Sequence, residues 1–274
     1  MKNTLYSLLA SISAIGAASA AVTFHSDFDE ANLGAITGLN IDTPSTSGAD
    51  SGTVTLDTVS QRLDLTANAA NTWTAREGAP IAWVSSPVVA VGETWYVQTQ
   101  ITHTNGTGVN STWDQSGITF YSGTAGANPG SENPATAPLV ESQSLFFGVN
   151  NWNAWQHKVQ GLADNNPNVA VGASLVDDTF EYRIEITEGG ASDTYNFFYR
   201  EASVDPWTQV GGVQSGHFNN SAVGMFMKSN DNNATASTEF DYFTVGTVDA
   251  IPEPGTGMLA GFAGLALVMR RRRK

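Results

Sequence analysis

Thr94-Trp95-Tyr96-Val97-Gln98-Thr99-Gln100-Ile101-Thr102-His103 alternates two kinds of side chain. Trp95, Val97, Thr99 and Ile101 fall on one face, and Tyr96, Gln98, Gln100 and Thr102 on the other. A period of two built from β-branched and aromatic residues marks a half-buried strand. The same pattern returns at Phe180, Tyr182, Ile184 and Ile186, which alternate with Glu181, Arg183, Glu185 and Thr187. The intervening Glu and Arg residues read as an ion-paired solvent face.

Outward from these two stretches, further strands are expected at 22–28, 53–57, 61–66, 81–84, 116–121, 143–149, 154–160, 194–200, 207–210, 222–227 and 238–245. Turn clusters separate them: Asn105-Gly106, Asp164-Asn165-Asn166-Pro167, Glu188-Gly189-Gly190. No helical periodicity of ten or more residues interrupts the series. Many short strands with regular turns predict an all-β sandwich or barrel. No repeat is visible, which argues against a propeller or solenoid. Residues 31–52 and 122–142 are rich in Gly, Ala, Ser, Thr, Asn and Pro and read as long loops.

The two ends of the chain differ from the body. Residues 1–20 have a basic start at Lys2, an apolar stretch from Leu5 to Ala17, and Ala18-Ser19-Ala20. This order predicts a secretory signal peptide with the mature chain starting at Ala21, or one residue later. Residues 251–274 run Ile251-Pro252-Glu253-Pro254, an uncharged span over 255–269, and Arg270-Arg271-Arg272-Arg273-Lys274. As a helix, that span reaches only about 23 Å, short of the ~30 Å hydrocarbon core. The basic cluster would stay cytoplasmic and leave the body outside. The two prolines keep the backbone extended next to the membrane, where a protease can grip it.

This three-part tail resembles the PEP-CTERM sorting signal of Gram-negative bacteria, with Pro252, Glu253 and Pro254 as the sorting motif. The resemblance implies transient insertion of residues 255–269 into the inner membrane and processing by an exosortase-type enzyme. It further implies display at the cell surface or in an extracellular, polysaccharide-containing matrix. The alternative is a plain tail anchor. Three regions follow: signal peptide 1–20, β-sandwich 21–250 and sorting signal 251–274.

The body holds six basic residues against 25 acidic ones, a net charge of −19. Such a surface repels nucleic acid, so no nucleic-acid partner is expected. There is no Cys, which excludes disulfides and thiolate chemistry. With 41% hydrophobic and 14% charged residues overall, the chain lies outside the disordered class, and a body of this length can bury a core without disulfides.

A second resemblance runs through the body. Phe24-His25-Ser26-Asp27-Phe28-Asp29 is similar to the opening strand of concanavalin A-like (laminin-G-like) jelly rolls. Val223-Gly224-Met225-Phe226-Met227-Lys228 and Glu239-Phe240-Asp241-Tyr242-Phe243-Thr244-Val245 are similar to their closing strands. Tyr195-Asn196-Phe197-Phe198-Tyr199 and Trp207 fit the segments between. The resemblance implies two antiparallel sheets in a jelly-roll sandwich, with a concave face of the kind that binds glycans. The closing strand also resembles that of laminarinase-like sandwiches, which implies Asp241 as a ligand of a structural calcium ion. Asp27, Asp29 and Glu239 are weaker candidates, expected nearby if the first and last strands are neighbours.

Catalytic residues are not expected. Laminarinase-like members of the fold that the body resembles carry their two carboxylates on one strand as E-x-D-x-x-E or E-x-D-x-E, and neither occurs. No H-x-x-x-H metal spacing and no G-x-S-x-G elbow is present. A glycoside hydrolase or lyase would need carboxylates assembled from separate strands. The glycan candidates are Trp152 and Trp155, set among amides in Asn150-Asn151-Trp152-Asn153-Ala154-Trp155. Aromatic faces suit the C–H faces of sugars, and Asn151 and Asn153 suit their hydroxyls. On a regular strand i and i+3 point oppositely, so one tryptophan would be platform and the other core, or both would simply pack. The reading is a noncatalytic, glycan-binding surface protein; the alternatives are a hydrolase or lyase of the same fold and a purely structural or adhesive domain.

Overall fold

A computed structural model describes residues 21–43, 51–68, 80–104, 115–121, 145–150, 156–160, 168–170, 178–216, 222–228 and 235–248. Its strands, in chain order, are β1 (Val22–Ser26), β2 (Asn40–Asp42), β3 (Ser51–Asp57), β4 (Arg62–Asn68), β5 (Ile81–Ser85), β6 (Thr94–Thr104), β7 (Gln115–Tyr121) and β8 (Phe146–Asn150). They continue as β9 (Gln156–Gln160), β10 (Asn168–Ala170), β11 (Thr179–Thr187), β12 (Asp193–Arg200), β13 (Thr208–Gln209), β14 (Gln214–Gly216), β15 (Ala222–Lys228) and β16 (Thr235–Thr247). The one helical element among the described residues is a 3-10 turn, Leu33–Ala35. All pairings are antiparallel and form two sheets. Sheet A runs β13-β12-β11-β6-β16-β4-β3, with β1 beside β16 and β14 beside β12. Sheet B runs β10-β9-β8-β7-β15-β5-β2. The all-β sandwich expected from the alternating pattern is therefore the observed architecture.

The alternation decides which residues fill the space between the sheets. Trp95, Val97, Ile101, Phe180, Tyr182, Ile184 and Ile186 are all buried and meet inward residues of sheet B. Phe120 packs edge-on against Trp95 at 5.9 Å between centroids, and Phe147 edge-on against Tyr182 at 5.2 Å. These tilted pairs are the favoured aromatic geometry and join one sheet to the other.

The strand β16 changes neighbours along one edge. Thr235 to Phe240 pair with β4, and Phe243 to Gly246 pair with β1. On its other edge β16 stays with β6 throughout, with a bulge between Phe240 and Tyr242. Thr238 and Phe240 face inward before the bulge, and Phe243 and Val245 after it. The extra residue is Asp241, and it resets the parity of the strand.

Several expectations need correcting. The first strand ends at Ser26, not residue 28. Phe28 has φ of 57°, and its N–H donates to the Ser26 hydroxyl at 3.0 Å, so the chain turns there. Asp27 and Asp29 thus lie beyond the strand. Stretch 31–52 is not a plain loop: it contains the 3-10 turn, β2 and the start of β3. The short strands β2, β10 and β14 were too brief to show a period. Residue 122–142, the signal peptide 1–20 and the tail 251–274 lie outside the described residues. Finally, Glu181 and Arg183 do not form a solvent face: they are 2% and 8% exposed.

Two histidines are enclosed. His103 Nδ1 lies 3.0 Å from the Thr238 hydroxyl and 3.1 Å from that of Ser116. His157 Nδ1 lies 2.7 Å from the Tyr182 hydroxyl, and its ring stacks on Tyr199 at 3.9 Å. Burial pushes both down to about 4. An unfolded histidine titrates near 6.5, so the unfolded chain takes up protons first on acidification. Stability from keeping these rings neutral is present above about 6.5 and is lost as the pH falls towards about 4. The melting temperature should fall across that window, and its slope against pH should be flatter in His157→Gln than in the wild type. Equal slopes would contradict the neutral, buried assignment of His157.

Candidate functional sites on the outer face of sheet A

Two clusters stand on the outer face of sheet A. The first is an ionic and aromatic ladder across β6, β11, β12 and β13. The Glu188-Gly189-Gly190 turn fixes the β11–β12 register, so Glu181 pairs with Arg200 and Arg183 with Phe198. Glu181 Oε2 accepts from Arg200 Nε at 2.9 Å, Arg200 Nη2 at 2.5 Å, the Tyr242 hydroxyl at 3.0 Å and Gln98 Nε2 at 3.3 Å. Arg183 Nη2 donates to Glu185 at 2.5 Å. Burial lowers the Arg183 pKa, while the facing Glu185 carboxylate opposes this.

The guanidinium carbon of Arg200 lies 4.3 Å from the centre of the Trp207 ring, and that of Arg183 lies 5.8 Å from it. Arg183 is also 5.1 Å from the Tyr96 ring. Two cations thus hold one indole in place. Trp207 is half-buried, and its chain neighbours Pro206 and Thr208 are exposed. Beside it, Gln209 Nε2 donates to Asn196 Oδ1 at 3.0 Å across the exposed face. The arrangement is a fixed aromatic surface next to paired amides.

The second cluster is acidic. Arg62 Nη1 donates to Glu239, and Arg62 Nε lies 2.6 Å from Asp241 Oδ1. Burial lowers the Arg62 pKa, but the two carboxylates outweigh it and the net shift is upward. Asp241 is raised, chiefly by burial, against the pull of Arg62. Asp64 stands directly opposite Glu239 in the ladder. Its carboxyl is raised to about 6, first by burial and then by Glu239 and Asp57. Its Oδ1 is buried with no hydrogen-bond partner.

The calcium candidates are therefore not gathered as expected. Asp241 and Glu239 share Arg62, and Asp27 pairs with His25 at 3.1 Å. Among the described residues no group of three or more His, Asp or Glu could hold a metal ion. The guanidinium stands where a cation would, so these side chains do not fit a calcium site. β1 and β16 are neighbours, as the resemblance implied. Trp152, Trp155, Asn151 and Asn153, and the sorting motif Pro252, Glu253 and Pro254, lie outside the described residues. The platform at Trp207 was missed as a site because its two partners come from β11 and β12; the glycine turn was the one signal that set their register.

Comparison with known proteins adds two findings. Residues 250–274 match the PEP-CTERM protein-sorting motif. The fold resembles that of an endo-1,3-beta-glucanase from Streptomyces sioyaensis, with a TM-score of 0.52 and 13% identity over 84% of this chain and 97% of that one. A bifunctional GH43-CE protein of Bacteroides eggerthii gives 0.50 and 12% identity over 82% of this chain but only 27% of its own. A lectin from Bauhinia forficata gives 0.49 and 9% over 85% of this chain and all of the lectin. At these identities the likeness is one of fold, the concanavalin A-like jelly roll. No curated protein matches the chain.

Above pH 6 the Asp64 carboxylate is charged against two neighbouring acids. Asp64→Asn should therefore stabilise the protein by about 1 kcal/mol at pH 8, a figure reduced for solvent screening at this partly open position. The gain should shrink as the pH falls below about 6 and vanish by about pH 3, where the carboxyl is protonated in both the folded and the unfolded chain. Urea unfolding at both pH values measures this, and a variant no more stable at pH 8 would contradict the assignment.

Proposed function

We propose that the chain is an exported surface or matrix protein, sorted through its C-terminal tail by an exosortase-type enzyme, whose sandwich binds glycan without catalysis. The proposal keeps the three regions read from the sequence: a signal peptide over 1–20, the sandwich over 21–250 and the sorting signal over 251–274. The matched sorting motif supports export, inner-membrane passage and display at the surface of a Gram-negative cell. Calcium at Asp241 forms no part of the reading.

Trp207 carries the binding proposal. Sugar rings need a flat apolar surface with hydrogen-bonding groups beside it. An indole already clamped by Arg183 and Arg200 loses little freedom when a ligand covers it. The net charge of −19 disfavours acidic polysaccharides, so the ligand class is neutral glycan. Trp152 and Trp155, with Asn151 and Asn153, belong to the same proposal as a second aromatic and amide surface.

Two observations support the noncatalytic reading. The described strands of sheet B contain one acid, Asp42. On sheet A, Glu181, Glu185, Glu239 and Asp241 each face an arginine. The hydrolase alternative has one specific foothold: Asp64, raised to about 6, stands directly opposite Glu239 on the neighbouring strand, which puts two carboxyl groups side by side. The third alternative, a structural or adhesive domain, predicts no binding at all.

A neutral-glycan array probed with residues 21–250 separates these readings. Binding should be retained at pH 7 and weakened at least tenfold by Trp207→Ala, with the melting temperature little changed because the indole is half-exposed. Absence of binding leaves the structural reading. Release of reducing sugar that stops in Asp64→Asn would establish the hydrolase.

A further inference from the structure

The two ends of the folded body leave it at one point. Val22, at the start of β1, pairs with Gly246, and the Ala21 carbonyl accepts from the Thr247 N–H at 3.3 Å. Ala21 is the first residue after the expected signal-peptide cut. Pro252 follows Thr247 by five residues. Both membrane-directed segments therefore depart from adjacent backbone at the end of one ladder.

The tail is a short leash. From Thr247 to Gly255, where the apolar span starts, eight residues reach at most about 28 Å when fully extended. A body of 230 residues has a radius of gyration of about 17 Å, hence a diameter on the order of 45 Å. A tether shorter than the body cannot let it turn its far end to the bilayer. The near end carries exposed valines beside Glu93 and Glu188. Thr247 pairs with Trp95, and Gly92 N–H donates to the Glu188 carbonyl at 2.7 Å, so the loop before β6 lies at this end. Val22, Val88 and Val91 are 52%, 102% and 71% exposed there.

We propose that the pole carrying Ala21, Thr247 and the exposed valines is a membrane-facing surface, seated on the lipid bilayer while the tail is inserted. The opposite pole, where β12 ends at Arg200 and the turn carries Val204, faces away. A lipid surface is the partner because the tether, shorter than the body, holds this pole against the bilayer, and the exposed Val22, Val88 and Val91 stand there beside Glu93 and Glu188. The proposal rests on the tail-sorting reading above and is independent of glycan binding.

The chain has no cysteine, so a single introduced thiol takes a fluorophore at one place. Val91→Cys and Val204→Cys sit on exposed turn positions and leave the core untouched. Each labelled chain, Ala21 through Lys274, is inserted into phosphatidylcholine vesicles carrying a headgroup nitroxide quencher. Flotation with the vesicles is scored first. The label at residue 91 should be quenched at least threefold more than that at 204. Flotation with equal quenching at both positions, or stronger quenching at 204, overturns the membrane-facing pole alone. Failure to float overturns the sorting tail together with the pole.

Discussion

One strand has to satisfy two neighbours on one edge and a single neighbour on the other. β16 pairs with β6 over its length while exchanging β4 for β1 half-way. A strict period of two would bring Tyr242 and Thr244 inward and expel Phe243 and Val245. Asp241 prevents this by standing outside the ladder. Phe240 and Phe243 both reach the core because the bulge lies between them, and both are fully buried. Burying two phenylalanines is worth about 3–6 kcal/mol by transfer alone, a large part of the stability of any domain. The acidic residue that performs this turn faces outward, where Arg62 meets it.

The same strand connects the other features. Its outer-face Tyr242 holds Glu181, which holds Arg200, which supports Trp207. Its last residues receive β1 and so bring the two ends of the body together. The platform and the membrane-facing pole are thus consequences of one registration, set between Phe240 and Gly246.

Much of this was legible in the amino-acid sequence. The alternation at 94–103 and 180–187 gave the strands and the division of their residues between two faces correctly, because period two is a strong signal over eight or more residues. The PEP-CTERM tail was legible because three features stand in fixed order. The bulge was present as the three-residue spacing of Phe240 and Phe243 but is easily taken for a break in pattern. The burial of Glu181 and Arg183 could not be read locally, since it depends on Arg200, Gln98 and Tyr242 from three other strands. The calcium expectation meets a related obstacle: the shape of the closing strand is local, but Arg62, which pairs with its carboxylates, stands on β4.

Removing residue 241 from the chain tests this account most directly, set against replacing it. Asp241→Ala keeps the extra residue and loses only the contact to Arg62, so urea unfolding should show a cooperative transition weakened by about 1–2 kcal/mol. Deletion of Asp241 takes out the residue that stands outside the ladder and leaves Phe240, Tyr242 and Phe243 alternating in, out and in on the same β6 partners. The deletion chain should therefore unfold cooperatively, with a stability close to that of Asp241→Ala. A deletion chain with no cooperative transition would mean that residue 241 is part of the ladder and that the bulge does not set the faces of β16.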